Sequence, residues 1–286
     1  MVMDTSNVVS HRAAAGDFDL DAYLRRIGHQ EEVAPDLATL QGIVARHASR
    51  IAFENLDPFL GNPVALDTIS LQAKLVHGGR GGYCFEQNLL LTHALQAIGY
   101  RTTGLAARVV WNRPPGAPLP ARGHMLVRVD LDEGPRLVDV GFGGLTLTGV
   151  LRLEADVAQP TPHEPFRLRS AGADLVLQAQ VRGTWQDLYR FGLAEALQSD
   201  YEVSSWYLSN HPEPHFVTGV MAARAEEGRR YALRGNELTI HHLDGDSHRR
   251  LLSSPAELVG VLEGDLGLDL SGLGDIEPAL ARLWST

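Results

Sequence analysis

A single cysteine, Cys84, stands among 286 residues, so no disulfide can form within the chain. An unpaired cysteine fits a reducing compartment, and a cytoplasmic setting is expected. No apolar run approaches the ~20 residues that a membrane-spanning helix needs. Residues 1–16 lack an apolar stretch flanked by basic residues, so no secretory signal is expected, only a loose tail. Basic residues are outnumbered: 25 Lys and Arg against 35 Asp and Glu leave a formal charge of −10. That balance speaks against general nucleic-acid binding, which needs a basic footprint. It does not exclude an anionic ligand, because helix N-termini and local patches bind phosphate against the global sign. Thiolate ligand sets are missing, so no zinc site is expected. His241 and His242 are neighbours on an expected strand and point to opposite faces, and His248 falls in a polar loop.

What is present is ordinary for a soluble globular protein: 44% apolar and 21% charged residues. At roughly 100–200 residues per domain the length suggests two or three structural units. The first ~100 residues read as helical by their apolar period. Asp19 can cap a helix with Leu20, Tyr23, Leu24 and Ile27 on one face and Gly28 as its stop. Leu37, Leu40 and Val44 repeat the pattern after Pro35-Asp36. A short helix is expected over 70–76, and another from Cys84 to Ile98, closed by Gly99. The period then changes to that of strands, over 105–111, 124–131, 136–140, 166–169, 175–181 and 185–191, with a Pro/Gly loop over 112–123. The last third is mixed. A strand is expected over 237–243, and Ser254-Pro255-Ala256-Glu257 reads as a capping box opening a helix. There is no internal repeat. Helices followed by strands predict segregated α+β layers rather than a βαβ repeat.

The segment Arg80-Gly81-Gly82-Tyr83-Cys84-Phe85-Glu86-Gln87-Asn88 is the most informative. Glycines give way to a cysteine at a helix start, where partial positive charge and unpaired N–H groups favour a thiolate and can hold a developing oxyanion. The bland alternative is a buried, inert cysteine. Glu86 and Gln87 are read simply as favourable to the helix dipole. A nucleophilic cysteine needs a base and a group that orients the base. His124 opens one strand and Asp139 closes the next. With Asp132-Glu133 as a two-residue turn, Leu126 faces Asp139, and His124 lies one diagonal step away at ~7–8 Å on the same sheet face. A one-residue slip would separate them. Each residue alone reads more simply as a polar strand-end group.

These residues together resemble the arylamine N-acetyltransferases. Arg80 to Asn88 is similar to the family's signature, with Cys84 on its acyl-carrying cysteine. His124-Met125-Leu126 resembles its histidine strand, and Val138-Asp139-Val140-Gly141-Phe142-Gly143 its aspartate strand and loop. Further matches are Tyr23-Leu24-Arg25-Arg26-Ile27-Gly28, Phe53-Glu54-Asn55-Leu56, Trp185-Gln186-Asp187-Leu188-Tyr189-Arg190-Phe191, and the stretch from Asp200-Tyr201-Glu202. The resemblance covers nearly the whole chain after Gly16.

The resemblance implies an N-terminal helical bundle (17–100) carrying the cysteine. A central antiparallel β-barrel-like domain (101–210) then carries the histidine and aspartate, and a C-terminal α/β lid (211–286) follows. The triad Cys84, His124 and Asp139 sits where the first two meet, as in cysteine proteases. It implies acetyl-coenzyme A as co-substrate, an arylamine, arylhydrazine or N-hydroxyarylamine as acceptor, and no metal. Acceptor contacts are expected from Phe142, Gly143, Tyr83 and Trp111. Coenzyme A contacts are expected from Gly143, Gly144, Asn210 and His211. Many relatives carry Ser-Thr-x-Pro-x-Ser where this chain has Ser209-Asn210-His211-Pro212-Glu213-Pro214, so two hydroxyls are absent. Arg80 is expected to pair with Glu54 and support the loop before Cys84. Two other readings share the triad order: an amide synthase moving a longer acyl chain, and a cysteine hydrolase or transglutaminase. The papain-type Cys-Gly-Ser-Cys-Trp signature is absent. A non-enzymatic binding protein fits poorly, because the Cys/His/Asp set is intact.

Overall fold

The computed structural model describes residues 18–114, 116–212 and 215–285. The tail expected over 1–16 lies outside them. Asp19 opens α1 (Leu20–Ile27) by accepting the Ala22 N–H, and Gly28 closes it at φ 70°. Asp36 caps α2 (Leu37–Arg50) in the same way on Thr39. A two-residue strand, β1 (Phe53–Glu54), leads into α3 (Leu56–Leu60). Next comes α4 (Thr68–Leu71), which runs into a π-helical stretch, Gln72–His77. The expected short helix over 70–76 is therefore not one regular α-helix. Then comes α5 (Cys84–Ile98), stopped by Gly99 as the sequence predicts. Tyr23, Ile27, Leu40, Ile43, Leu75, Leu91 and Leu95 are fully buried in the core that these helices share. Each such aliphatic or aromatic side chain contributes about 1.5–3 kcal/mol by leaving water.

Seven described strands form the second unit: β2 (Arg101–Val109), β3 (His124–Leu131), β4 (Gly134–Val138), β5 (Leu151–Arg152), β6 (Phe166–Ala171), β7 (Asp174–Val181) and β8 (Thr184–Glu195). They are antiparallel in the order β5-β4-β3-β2-β8-β7-β6. Bridges from Gln159 to Phe166 and from Ala155 to Leu168 tie the segment after β5 to the far edge, so the sheet curls into a nearly closed barrel. The β3–β4 hairpin pairs Leu131 with Gly134 and Val127 with Val138, the register expected of an Asp132-Glu133 turn. One boundary differs: β4 ends at Val138, so Asp139 lies just past the strand and not within it.

The chain continues through α6 (Gln198–Asn210), α7 (His215–Thr218), β9 (Met221–Glu226), β10 (Arg229–Arg234), β11 (Glu237–His242), β12 (Ser247–Leu251), α8 (Pro255–Glu263) and α9 (Glu277–Leu280). The second sheet runs β1-β9-β10-β11-β12. Its edge strand β1 comes from the helical part of the sequence, with Phe53 opposite Ala223. The cap of α8 also differs in detail. Ser254 Oγ accepts the Glu257 N–H, but the Glu257 carboxylate returns to Ser253 rather than to Ser254. The architecture is α+β throughout.

Candidate active site

The approach to Cys84 is a backbone held against backbone. Gly82 N donates to Ala52 O at 3.3 Å, and Glu54 N donates to Gly82 O at 3.1 Å. A Cβ at Gly81 would collide with the Ala52 carbonyl, so only glycine lets the loop lie this close to β1. Cys84 is the first residue of α5 and only 3% exposed. Its thiol points at Gly123 O, 3.6 Å away, on the residue preceding His124.

His124 Nε2 donates to Asp139 Oδ2 at 2.7 Å, which leaves Nδ1 for the thiol. Both groups are buried. Asp139 Oδ1 accepts from Asn88 Nδ2 and from Gly141 N, each at 2.9 Å. Asn88 also donates to Met125 O at 2.8 Å and accepts from Val140 N at 3.1 Å. It therefore locks the aspartate loop to the cysteine's helix. A Cβ at Gly141 would stand 2.7 Å from Cys84 Cα, so that loop lies against the nucleophile's own backbone.

Burial alone would lower the His124 pKa. The Asp139 charge and hydrogen bond, with Cys84 adding a further hydrogen bond, reverse that and raise it to about 10. Burial likewise opposes ionisation of Asp139, but the His124 charge and the donors on its oxygens hold its pKa below the ordinary value. The pair is an ionised one at neutral pH.

Aromatic rings wall the histidine. Phe142 meets His124 edge-on at 5.3 Å and Trp111 at 5.8 Å. Tyr189 lies 4.7 Å from His124 and 5.2 Å from Phe142. Gly143 (φ 84°) packs on the Phe53 ring, and Gly144 faces Ala232 of β10. The expected contacts Phe142, Trp111, Gly143 and Gly144 thus gather beside the histidine and under the second sheet. Tyr83 does not join them. It is fully buried, with its ring against Phe216 at 5.4 Å and its hydroxyl on Ser205 Oγ at 2.5 Å. Asn210 and His211 lie at the end of α6, where Asn210 donates to Trp206 O and His211 stacks on Tyr207 at 4.7 Å.

Arg80 and Glu54 form the expected buried pair, with Nε and Nη2 both on Glu54 Oε1 at 2.9 and 2.7 Å. They belong to a larger group that also holds Asp57, Lys74 and Glu86. Glu86 is therefore more than a charge near the helix dipole: it is 1% exposed and accepts the Tyr83 N–H at 3.0 Å. Gln87 is likewise fully buried, joining His47 to the Ala52 carbonyl at 2.7 Å on either side. Sequence reasoning singled out neither Asn88 nor Tyr189 for a role. The available signal for Asn88 is its position four residues after Cys84, on the same helix face. Among the described residues no group of three or more His, Cys, Asp or Glu could hold a metal, and no helix is long and apolar enough to cross a membrane.

A family model described as N-acetyltransferase matches residues 36–274. The chain is 46% identical to an arylamine N-acetyltransferase of Mycolicibacterium smegmatis, over 94% of this chain and 99% of that one. It is 35% identical to the arylamine N-acetyltransferase / N-hydroxyarylamine O-acetyltransferase of Salmonella typhimurium, over 90% of each. The fold superposes on the Mycobacterium marinum arylamine N-acetyltransferase in complex with CoA with a TM-score of 0.89 at 45% identity. That match covers 93% of this chain and 98% of the other.

Proposed function

The chain belongs to the arylamine N-acetyltransferase family, and from that premise we propose that it carries acetyl from acetyl-coenzyme A to an acceptor through an acetyl-Cys84 intermediate. The acceptor is the nitrogen of an arylamine or arylhydrazine, or the oxygen of an N-hydroxyarylamine. The observation that carries the reading is the buried His124–Asp139 pair at 2.7 Å with the Cys84 side chain as the histidine's second hydrogen-bonding partner.

In the first half-reaction the Cys84 sulfur attacks the thioester carbonyl and its proton rests on His124. The N–H groups opening α5 face the oxyanion that develops. The bond from the carbonyl carbon to the coenzyme A sulfur breaks, and coenzyme A leaves with the proton. In the second half-reaction a neutral amine attacks the acetyl-cysteine, His124 takes the amine proton, and Cys84 is released. Asp139 fixes the imidazole and stabilises its cation. Phe142 and Trp111 offer an aromatic wall for an aryl acceptor. Gly143 and Gly144 let a pantetheine chain approach backbone closely. The lone unpaired cysteine suits a cytoplasmic enzyme, and its partners in this reading are coenzyme A and the aromatic acceptor.

Intact-protein mass spectrometry tests this directly. Brief exposure to acetyl-coenzyme A without acceptor should add one acetyl group and release coenzyme A in equal amount. An arylamine added next should remove the acetyl group as an amide, and double-reciprocal rate plots should be parallel. Intersecting plots with no acetylated protein would refute the route. Far faster loading by long acyl thioesters would replace it with the amide-synthase reading, and loss of acetyl to water in preference to amines with a hydrolase.

A further inference from the structure

Lys74 lies in the π-helical stretch, where Gly78 N bonds back five residues to Ala73 O at 2.8 Å. Widened turns of this kind recur at functional sites. Here the turn carries Lys74 into a buried group of carboxylates. Its Nζ stands 2.6 Å from Glu86 Oε1, 2.6 Å from Asp57 Oδ2 and 4.0 Å from Glu54 Oε1. Arg80 takes Glu54 at 2.7 Å and reaches Asp57 at 3.5 Å. Three carboxylates face two cations, and Lys74 is the cation in direct contact with Glu86.

Glu86 is the member that touches the nucleophile's turn. Its Oε2 accepts the Tyr83 N–H, and its side chain folds over Gly82, where a Cβ would stand 2.7 Å from that oxygen. The carboxylate is fully buried in the first turn of the helix that Cys84 opens. Burial, with Glu54 adding to it, raises the Glu86 pKa, and Lys74, more than the Tyr83 N–H, opposes the rise. Without Lys74, Glu86 has two outcomes. It takes up a proton and weakens as an acceptor, or it keeps a charge with no cation in contact with it, in the helical turn that Cys84 opens.

We propose that Lys74 is a positioning residue for Cys84. By holding Glu86 Oε1 it keeps the other oxygen on the Tyr83 N–H and cancels a negative charge that would oppose charge build-up on the sulfur. The inference rests on Cys84 being the acyl carrier. It predicts that what matters at Lys74 is its charge balance with Glu86 in particular, and not with the group as a whole.

The test compares Lys74→Met with two double variants, Lys74→Met/Glu86→Gln and Lys74→Met/Asp57→Asn. Both doubles restore the formal charge of the wild-type group, but at different places. Two rates are read for each protein: acetyl loading from acetyl-coenzyme A, and alkylation of Cys84 by iodoacetamide. Lys74→Met should slow both by about 10- to 100-fold, the range expected when a reacting group is displaced by a fraction of an ångström to one ångström. Glu86→Gln should recover most of the loss, because an amide oxygen still accepts the Tyr83 N–H, whereas Asp57→Asn should not. If Lys74→Met does not fold, the two isoelectronic doubles still give the comparison. Equal rates in the two doubles, or wild-type rates in Lys74→Met, would overturn the proposal. Alkylation needs no acyl donor, so it decides the point even if the wild type fails to load acetyl, a failure that would count against the acyl-transfer reading alone.

Discussion

Asp139 uses both carboxylate oxygens, one on His124 and one on Asn88 and Gly141, so its replacement by asparagine changes charge more than shape. Asp139→Asn should leave the fold intact and lower turnover by about 10⁴-fold, the scale of the matching change in serine proteases. Near-wild-type turnover in the folded variant would remove Asp139 from the mechanism. The same pair sets a pH dependence of stability. His124 binds its proton more tightly in the folded protein, with its pKa raised from 6.5 to about 10. Its stabilising contribution is complete below pH 6.5 and is lost as pH rises through 10. Asp139, held below its ordinary value, contributes in the opposite sense: its share is present above 3.8 and is lost as pH falls. Urea unfolding should therefore show wild-type stability declining on the alkaline side by on the order of 1 kcal/mol per pH unit. Asp139→Asn should flatten that decline, and an equally steep one in the variant would show that another group is responsible.

At the scale of elements, what the sequence reveals depends on whether the cause of an element is local. Helix α5 is legible because its start, apolar face and Gly99 stop all lie within the segment. The His124–Asp139 geometry is legible because a two-residue turn fixes the register of β3 and β4, and a fixed register fixes which side chains share a face. Strands β9 and β10 are not legible. Met-Ala-Ala-Arg-Ala-Glu and Arg-Arg-Tyr-Ala-Leu-Arg are rich in helix formers, and only pairing with β1 and β11 holds them extended. The two-residue strand β1 is too short to carry a period. The Arg80–Glu54 pair is legible from its setting, but Lys74, Asp57 and Glu86 are not, because a π-turn brings Lys74 to them. Arg80→Met should leave Glu54 buried with only Lys74 at 4.0 Å as a cation partner. The cost should be about 3–5 kcal/mol, read as a fall in the denaturant midpoint. An unchanged midpoint would mean that the pair contributes nothing to the loop it appears beside.

At the scale of the whole molecule, the C-terminal sheet is stitched to the rest at several places, of which three bear on its stability. Strand β1 forms its edge. Arg230 of β10, fully buried, grips Glu164 after the barrel's bridging segment with Nε and Nη2 at 2.9 and 2.7 Å from Oε2. Asn55 clamps the entry to β9: Nδ2 donates to Phe216 O and Gly219 O at 2.8 and 2.7 Å, and Oδ1 accepts from Met221 N at 2.6 Å. The apolar core behind this sheet also takes Ala52, Leu56 and Phe59 from the N-terminal part, beside Tyr231, Leu258 and Leu262. A unit that shares both a sheet and a core with its neighbours cannot melt alone without exposing theirs. Unfolding followed by tryptophan fluorescence and by far-ultraviolet circular dichroism should therefore give coincident, single transitions. Asn55→Ala strands the buried groups it served, each costing about 1–3 kcal/mol. It should move both midpoints down together, because loosening the seam destabilises every element that the seam joins. Two separated transitions, or a protease-resistant fragment lacking 211–286, would show instead that the C-terminal segment folds as an independent domain and that the Asn55 seam does not couple it to the rest.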